Sequence, residues 1–492
     1  MTNAHDTYTS PLAARNASPE MCKIWSPRHK FMIWRRIWLA VAEAQQACGL
    51  DITDEQLDEM RAHLEVTDED MELAAKYERE LRHDVMAHVH AFGDRCPSAR
   101  GIIHLGCTSQ DVVCNADLIA LMRSKGRISR KLDLCVSVLA KVAAKYISVP
   151  TLGFTHYQPA QPTTVGRRVA GWAYDLNVSG NKMDCYDIPY RGLRGATGTQ
   201  ASFLHLLGSQ EKVDQLEVEF LRRLESSYLD DGEWAPSDFW QGTFILTGQT
   251  YPRVLDSHIL ADLASMASVL HKIATDIRLL SNRKEIDEPF GKSQIGSSAM
   301  PYKRNPMKCE RICGLTRFVM NLVGNAYDTA ATQWLERTLD DSSNRRLSLP
   351  ESFLALDGAL DLMHTVADGL IVNEAMVRRN LMAELPFMAT ENIMMEAVKM
   401  GRDRQDVHEA IRVHSMAAGQ VVKQEGKDND LLERLKGEPL LEGIDIDSHL
   451  DPMSYIGRSV EQTERFLKEV IEPMRSRYSD ELESLGSADR GV

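Results

Sequence analysis

Apolar positions recur along much of this chain at alternating steps of four and three. From Ile259 they run through Leu263, Met266, Leu270, Ile273, Ile277 and Leu280, which keeps one helical face apolar through successive heptads. A second stripe runs Phe353, Leu356, Leu360, Met363, Ala367 and Leu370. No proline interrupts 253–288, so the first stripe predicts a helix of up to about 50 Å at 1.5 Å per residue. Proline is also absent from 98–149 and from 307–349, which extends the expectation to two further long helices. Alternating strand-type runs are rare, and no strand–helix–strand rhythm carries a glycine fingerprint. The predicted fold class is all-α, built around a central bundle of long helices. Stripes of this length on a polar chain commonly bury helices from more than one subunit, so oligomerisation is expected.

Breaks in the pattern suggest boundaries. Pro97 and the Gly101–Gly106 stretch precede the first long helix, and the bundle stripe ends after Leu370. The expected division is an N-terminal helical domain over 1–108, a central long-helix domain over 109–372 and a C-terminal helical domain over 373–492. The acidic, aromatic stretch 228–240 reads as an inserted surface loop.

Charge and cysteine content narrow the function. Acidic residues outnumber basic ones 71 to 57, for a net charge of −14. That argues against a nucleic-acid surface, so an anionic ligand must be met by Arg and Lys gathered in a pocket. Nine cysteines without a paired framework suit reduced thiols in the cytoplasm. Cys309 and Cys313 are four apart but have no second ligand pair, so no metal is expected. The polar start has no apolar h-region, and no apolar run is long enough to span a membrane.

Candidate chemistry lies in a few polar loops. Residues Ile295 to Pro306 place Ser297 and Ser298 beside Lys303, Arg304 and Asn305 between glycines and prolines. Such a loop can bind an anion and stabilise developing charge, or be a plain basic turn. His156 stands between Gly153 and two prolines, on a turn where an imidazole can exchange a proton or serve as a structural hydrogen-bonder. Thr108 and Ser109 precede a long helix and offer either an anion site or an ordinary N-cap. Arg82, His83 and Asp84 are followed by His88 and His90, whose spacing does not put all three histidines on one helical face. Arg82 and His83 are read as pocket residues, His88 and His90 as structural. Within 336–346, Arg337, Arg345 and Arg346 with Ser342 suggest a phosphate clamp, although Asp340 and Asp341 could simply pair those arginines. Gly192, Gly195 and Gly198 match neither a P-loop nor a dinucleotide fingerprint.

Taken together, these segments resemble the fumarase/aspartase superfamily, whose signature loop reads GSSxMPxKxN. Within it they are most similar to the members that act on succinylated purine ribotides. The likeness covers most of the chain and rests on Ser297 to Pro306, Thr155 to Gln161, Arg82 to His90, Thr247 to Tyr251 and Glu336 to Arg346. It implies a three-domain fold and a carbon–nitrogen lyase that eliminates fumarate without metal or organic cofactor. It also implies a homotetramer whose sites are shared between subunits. By the same likeness Ser297 is the base and His156 the acid, Glu310 orients the histidine, and Lys303 and Asn305 hold the reacting carboxylate. Thr108 and Ser109 meet the succinyl carboxylates, with His83 and Gln249 in the same pocket. Arg82, Asp84 and Arg311 belong to the nucleotide site, and Arg15, Asn16, Arg337, Ser342 and Arg346 to the phosphate and ribose. Asn16 stands where many relatives carry tyrosine, and 228–240 has no counterpart. The rivals are a superfamily lyase acting on another substrate, such as argininosuccinate, and a noncatalytic helical scaffold.

Overall fold

The computed structural model describes residues 6–185, 187–229, 242–291 and 293–477. The part of the expected surface loop at 230–240 lies outside them. Seventeen α-helices and four short strands are found among the described residues, which makes the fold all-α. No helix among them is long and apolar enough to cross a membrane.

The first apolar stripe lies on the Val254–Asn282 helix, where Leu263, Met266, Leu270 and Ile273 have no exposed surface. The helix ends where Lys284 turns left-handed (φ 63°) and Ile286–Asp287 pairs with Ile371–Val372. The second stripe lies on the Asp340–Asp368 helix, with Phe353, Leu356, Leu360 and Met363 equally buried. Both stripes are therefore buried within one chain, and an intersubunit surface must use other residues. The proline-free 307–349 stretch is not one helix. It breaks between Met307–Ala331 and Asp340–Asp368, and Leu335 is left-handed at φ 50°. Pro350 sits inside the second of these helices, where it withholds the hydrogen bond that the Arg346 carbonyl would otherwise accept.

The chain forms two compact units. The first comprises 1–131, 179–268 and 314–360, and the second 132–178, 269–313 and 361–492.

In the first unit, side chains close the helix starts. Thr67 accepts from the Asp70 amide at 3.2 Å while Asp70 accepts from Thr67 at 3.0 Å, a reciprocal capping box. The segment carrying Arg15 and Asn16 is tied to the Asp340–Asp368 helix. The Ser18 amide donates to buried Asp357 at 2.7 Å, and Trp25 stacks on Phe353 at 5.8 Å. Gly358 lets the two backbones touch, since a Cβ there would lie 2.3 Å from the Asn16 carbonyl oxygen.

In the second unit, Pro150–Thr155 and Gln158–Thr164 form an antiparallel hairpin with an irregularity between Leu152 and Phe154. Its C-terminal helices share a core in which Ala389, Ile393 and Ala397 meet Val407, Ile411, Leu431 and Leu435. These residues recur at helical spacing, so each helix turns one apolar face inward.

The Gly358 contact yields a prediction. Alanine is the better helix former by about 1 kcal/mol, but the clash is with backbone, and overpacking of this kind costs about 1–3 kcal/mol. Gly358→Ala should lower the urea midpoint and speed amide exchange over 12–17. An unchanged midpoint would show that the segment is not held this way.

Candidate active site

In the first unit the candidate residues sit on segments brought together by close backbone approach. Gly198, at φ 85°, would place a Cβ 1.9 Å from the Thr247 carbonyl oxygen, and Gly248 one 2.6 Å from that of Glu336. Only residues without a side chain fit these crossings. The Gln249 amide then donates to the Glu336 carbonyl at 3.1 Å. Arg337 donates to Gln249 Oε1 at 2.8 Å and to Ser342 Oγ at 3.2 Å, so the three form one cluster.

Beneath this cluster lies a buried ionic network. Arg345 pairs with Asp256 at 2.6 Å and Asp117 at 3.1 Å and also donates to the Tyr251 hydroxyl. Tyr251 in turn donates to Asp256 at 2.6 Å, and Arg253 pairs with Asp341 at 2.7 Å. Burial opposes the Arg345 charge, but Asp256, Tyr251 and Asp117 hold its pKa well above the usual range. The arginines of 336–346 therefore differ in role. Asp341 and Arg345, four apart, face the interior, whereas Arg346 is exposed and meets Asp84 at 3.0 Å. The open question of whether aspartates pair these arginines resolves residue by residue.

Arg82, His83 and Asp84 form a turn into the Asp84–Arg95 helix, with Arg82 left-handed at φ 55°. His83 caps that helix, its Nδ1 accepting from the Met86 amide at 3.3 Å. The neutral ring must then carry its proton on Nε2, so it presents a donor outward. Burial pushes the Asp84 carboxyl up, but the Val85 amide and the charges of Lys30 and Arg346 outweigh it and lower its pKa. His88 stacks on Phe31 at 3.6 Å, and burial, then Lys30 and Arg35, lower its pKa to about 4. His90 stacks on Tyr77 at 5.2 Å.

The Thr108–Ser109 segment is held by a buried carboxylate. Asp111 Oδ2 accepts from the Thr108 amide at 2.8 Å. Its Oδ1 accepts from the amides of Arg194 at 2.8 Å and Gly195 at 3.0 Å, and from the Arg191 guanidinium. The glycine-spaced loop is thus spent on an internal carboxylate. Among the described residues neither the Thr108 nor the Ser109 hydroxyl is hydrogen-bonded, which leaves both for a ligand. Gln110, missed in the sequence, faces Arg337 and accepts from it at 2.7 Å with its amide oxygen turned inward. Arg15 is exposed, while the Asn16 amide is occupied by the Pro11 carbonyl at 2.8 Å.

The second unit carries the remaining candidates. His156 and Tyr157 form the hairpin turn, exposed and left-handed at φ 53° and 58°. Non-glycine residues rarely take both places of such a turn, and each costs about 1–3 kcal/mol. The hairpin is braced below, where Arg283 lies over Phe154 at 4.8 Å and Arg168 at 6.0 Å. In the signature loop, half-buried Ser297 accepts from the Met300 amide at 3.2 Å. Asn305 donates to the Gly296 carbonyl at 2.9 Å, so in this conformation it clasps the loop. Lys303 is exposed on the same loop. Glu288 closes the following helix by accepting from the Lys308 and Cys309 amides at 3.0 and 2.9 Å. Glu310 lies 4.0 Å from Arg278, and within one chain no hydrogen bond joins it to His156 among the described residues. Arg311 is half-buried on the same helix. Among the described residues no group of three or more His, Cys, Asp or Glu is placed to hold a metal ion.

Comparison with known proteins identifies the class. A family model described as Lyase matches residues 14–226 and 253–321, and one described as Adenylosuccinate lyase C-terminus matches 386–466. The fold is shared with the 3-carboxy-cis,cis-muconate lactonizing enzyme of Pseudomonas putida, at a TM-score of 0.79 and 22% identity over 95% of this chain and 100% of that one. The chain is a lyase of the fumarase/aspartase superfamily. Adenylosuccinate lyases of Schizosaccharomyces pombe and Saccharomyces cerevisiae are each 46% identical over 487 residues, spanning 97% of this chain and 98% of the relative. The chain belongs to the adenylosuccinate lyase family.

The ionic network predicts unequal costs for adjacent arginines. Arg345→Met strands Asp256 in the interior and should cost about 3–5 kcal/mol in urea unfolding. Arg346→Met breaks an exposed pair and should cost about 1 kcal/mol or less. Equal losses would place Arg345 outside the structural core.

Proposed function

We propose that this lyase eliminates fumarate from adenylosuccinate, giving AMP, and from succinylaminoimidazole carboxamide ribotide, giving AICAR. The observation that carries the reading is the near-full-length likeness to relatives named for the first of these substrates. The chain is organised in this reading as 1–108, 109–372 and 373–492, and the separate family match at 386–466 falls within the last of these.

In the proposed mechanism Ser297, as its alkoxide, removes the proton from the carbon beside the substrate carboxylate. The carbanion so formed is stabilised as an aci-carboxylate facing Lys303 and Asn305. Its electron pair forms the new C=C bond as the C–N bond breaks, and His156 protonates the departing nitrogen. A serine hydroxyl is a poor base near neutral pH. The Met300 amide already directs an N–H at its oxygen, and closure of the loop over substrate would exclude water and strengthen the Lys303 field. For Asn305 to hold the carboxylate, its clasp on Gly296 must open. Thr108, Ser109, His83 and Gln249 meet the succinyl carboxylates in this scheme. Arg82, Asp84 and Arg311 serve the nucleotide, and Arg15, Asn16, Arg337, Ser342 and Arg346 its phosphate and ribose. Exposed Arg346 and the Arg337–Ser342–Gln249 cluster support that assignment. The reading calls on no metal or organic cofactor.

A homotetramer with shared sites is part of the same proposal, with Glu310 orienting a histidine supplied by another subunit. Apolar side chains left open on the long helices support it: Phe318 is 40% exposed, Tyr327 55% and Leu347 67%.

The direct test follows fumarate and AMP release from adenylosuccinate, with argininosuccinate, aspartate and malate in parallel. Equal fumarate and AMP, with no turnover of the others, is expected. Ser297→Ala should lower kcat by about 10³-fold or more while substrate still binds, and normal turnover would remove Ser297 from the mechanism. Mixed Ser297→Ala and His156→Gln proteins should regain activity through hybrid sites. Absence of rescue after verified subunit exchange would argue for sites built from one chain.

A further inference from the structure

Lys30 lies on the Pro27–Ala47 helix of the first unit, and no sequence pattern marks it. Its ammonium is held over two aromatic rings, 4.7 Å from the Trp34 centroid and 5.2 Å from that of Phe31. Among the described residues it has no hydrogen bond and no carboxylate within ion-pair distance. A half-buried ammonium without an anion is an expensive arrangement, only partly offset by the ring faces. The rings connect it to the candidate nucleotide residues. Phe31 stacks on His88 at 3.6 Å, and Trp34 meets the same ring edge-on at 5.6 Å. His88 belongs to the helix whose first residue, Asp84, holds Arg346 at 3.0 Å.

The electrostatics agree with this placement. Burial lowers the Lys30 pKa first and the Arg346 charge lowers it further, while Asp117, Asp84 and Glu78 oppose them. The two cations thus repel each other, and Asp84, whose carboxylate feels both charges, bonds directly to Arg346 alone of the two. A purely structural lysine on an aromatic face gains nothing from a neighbouring guanidinium. A bound dianion would satisfy the ammonium and remove the repulsion together. His88 cannot share this task, because its ring is buried and neutral near pH 7.

We propose that Lys30 is a further binding residue of this lyase, acting with Arg346 as a two-cation site for the substrate's phosphate monoester. The inference rests on the ribotide reading above and deepens it. The guanidinium supplies directional donors to the phosphate oxygens, and the ammonium adds a point charge that its ring box keeps poorly hydrated. Methionine can fill the box without the charge, so Lys30→Met leaves the aromatic packing in place.

The test measures AMP affinity by calorimetry and kcat and KM on adenylosuccinate for Lys30→Met, Lys30→Arg and Arg346→Gln. In Lys30→Met the AMP Kd and the KM should both rise about tenfold or more, with kcat within about twofold, as for a lost charge-assisted contact. Lys30→Arg should recover most of the affinity. Unchanged AMP affinity in Lys30→Met, or a fall in kcat as large as that in kcat/KM without rescue by arginine, would overturn the proposal. Arg346→Gln separates the two readings. If it alone loses AMP, the Lys30 inference falls and the ribotide site stands, and if neither variant loses AMP, the ribotide reading of this site falls as well.

Discussion

Two guanidiniums, those of Arg253 and Arg345, lie over the Tyr251 ring at 4.4 and 5.2 Å, and the carboxylates of Asp256 and Asp341 complete the set. All five side chains are buried, so each charge must find its partner inside the protein or go unpaired. That requirement sets how the Asp340–Asp368 helix is rotated about its axis. With Asp341 and Arg345 turned inward, Ser342 and Arg346 come to the adjoining face, about 100° round the helix and one helical turn apart. The same network holds the 247–253 loop and so the position of Gln249. A change to it would move candidate ligand residues that it never touches.

Buried carboxylates do comparable work elsewhere in each unit. Asp111 gathers backbone amides from the Thr108 segment and the 194–195 loop, and Glu288 caps the helix that follows the signature loop. A carboxylate satisfied by main-chain donors is insensitive to the side chains around it, so the loops it anchors can carry reactive residues. The hairpin bearing His156 is held differently. Its strained turn is kept in place by cations over Phe154 and by the close approach of Gly153 to the Gln161 carbonyl. Rigid anchoring beneath polar side chains is common to all three segments, with exposed tips at His156 and Lys303 and half-buried hydroxyl residues at Thr108 and Ser109.

Much of the helical framework was legible in the sequence, because a 3.6-residue period is local and survives any arrangement of neighbours. The two stripes, the turn at His156 and the loop ending at Pro306 could each be read from a few dozen residues. The break at 332–339 was not legible, since absence of proline permits a helix without requiring one. Nor do the stripes speak for an oligomer, since they are already buried in one chain. Among the arginines of 336–346, identity alone did not separate Arg345 from Arg346. Their roles depend on Asp256 and Asp117, more than 80 residues away. Gln110 had marked neighbours but no mark of its own, and Lys30 had neither.

By itself the sequence determined the all-α class, the long helices, the loops rich in hydroxyl and cationic groups, and the superfamily that their order resembles. These follow from short-range rules of backbone geometry and from motifs contiguous in the chain. Only the tertiary structure decided which charges are spent on one another. Asp111 consumes the glycine loop's amides, Asn305 clasps its own loop, and Arg345 is neutralised inside, while the Thr108 and Ser109 hydroxyls and the Lys30 ammonium are left over. Pairing of charges is a three-dimensional assignment, because a buried ion takes the nearest partner in space whatever its distance along the chain.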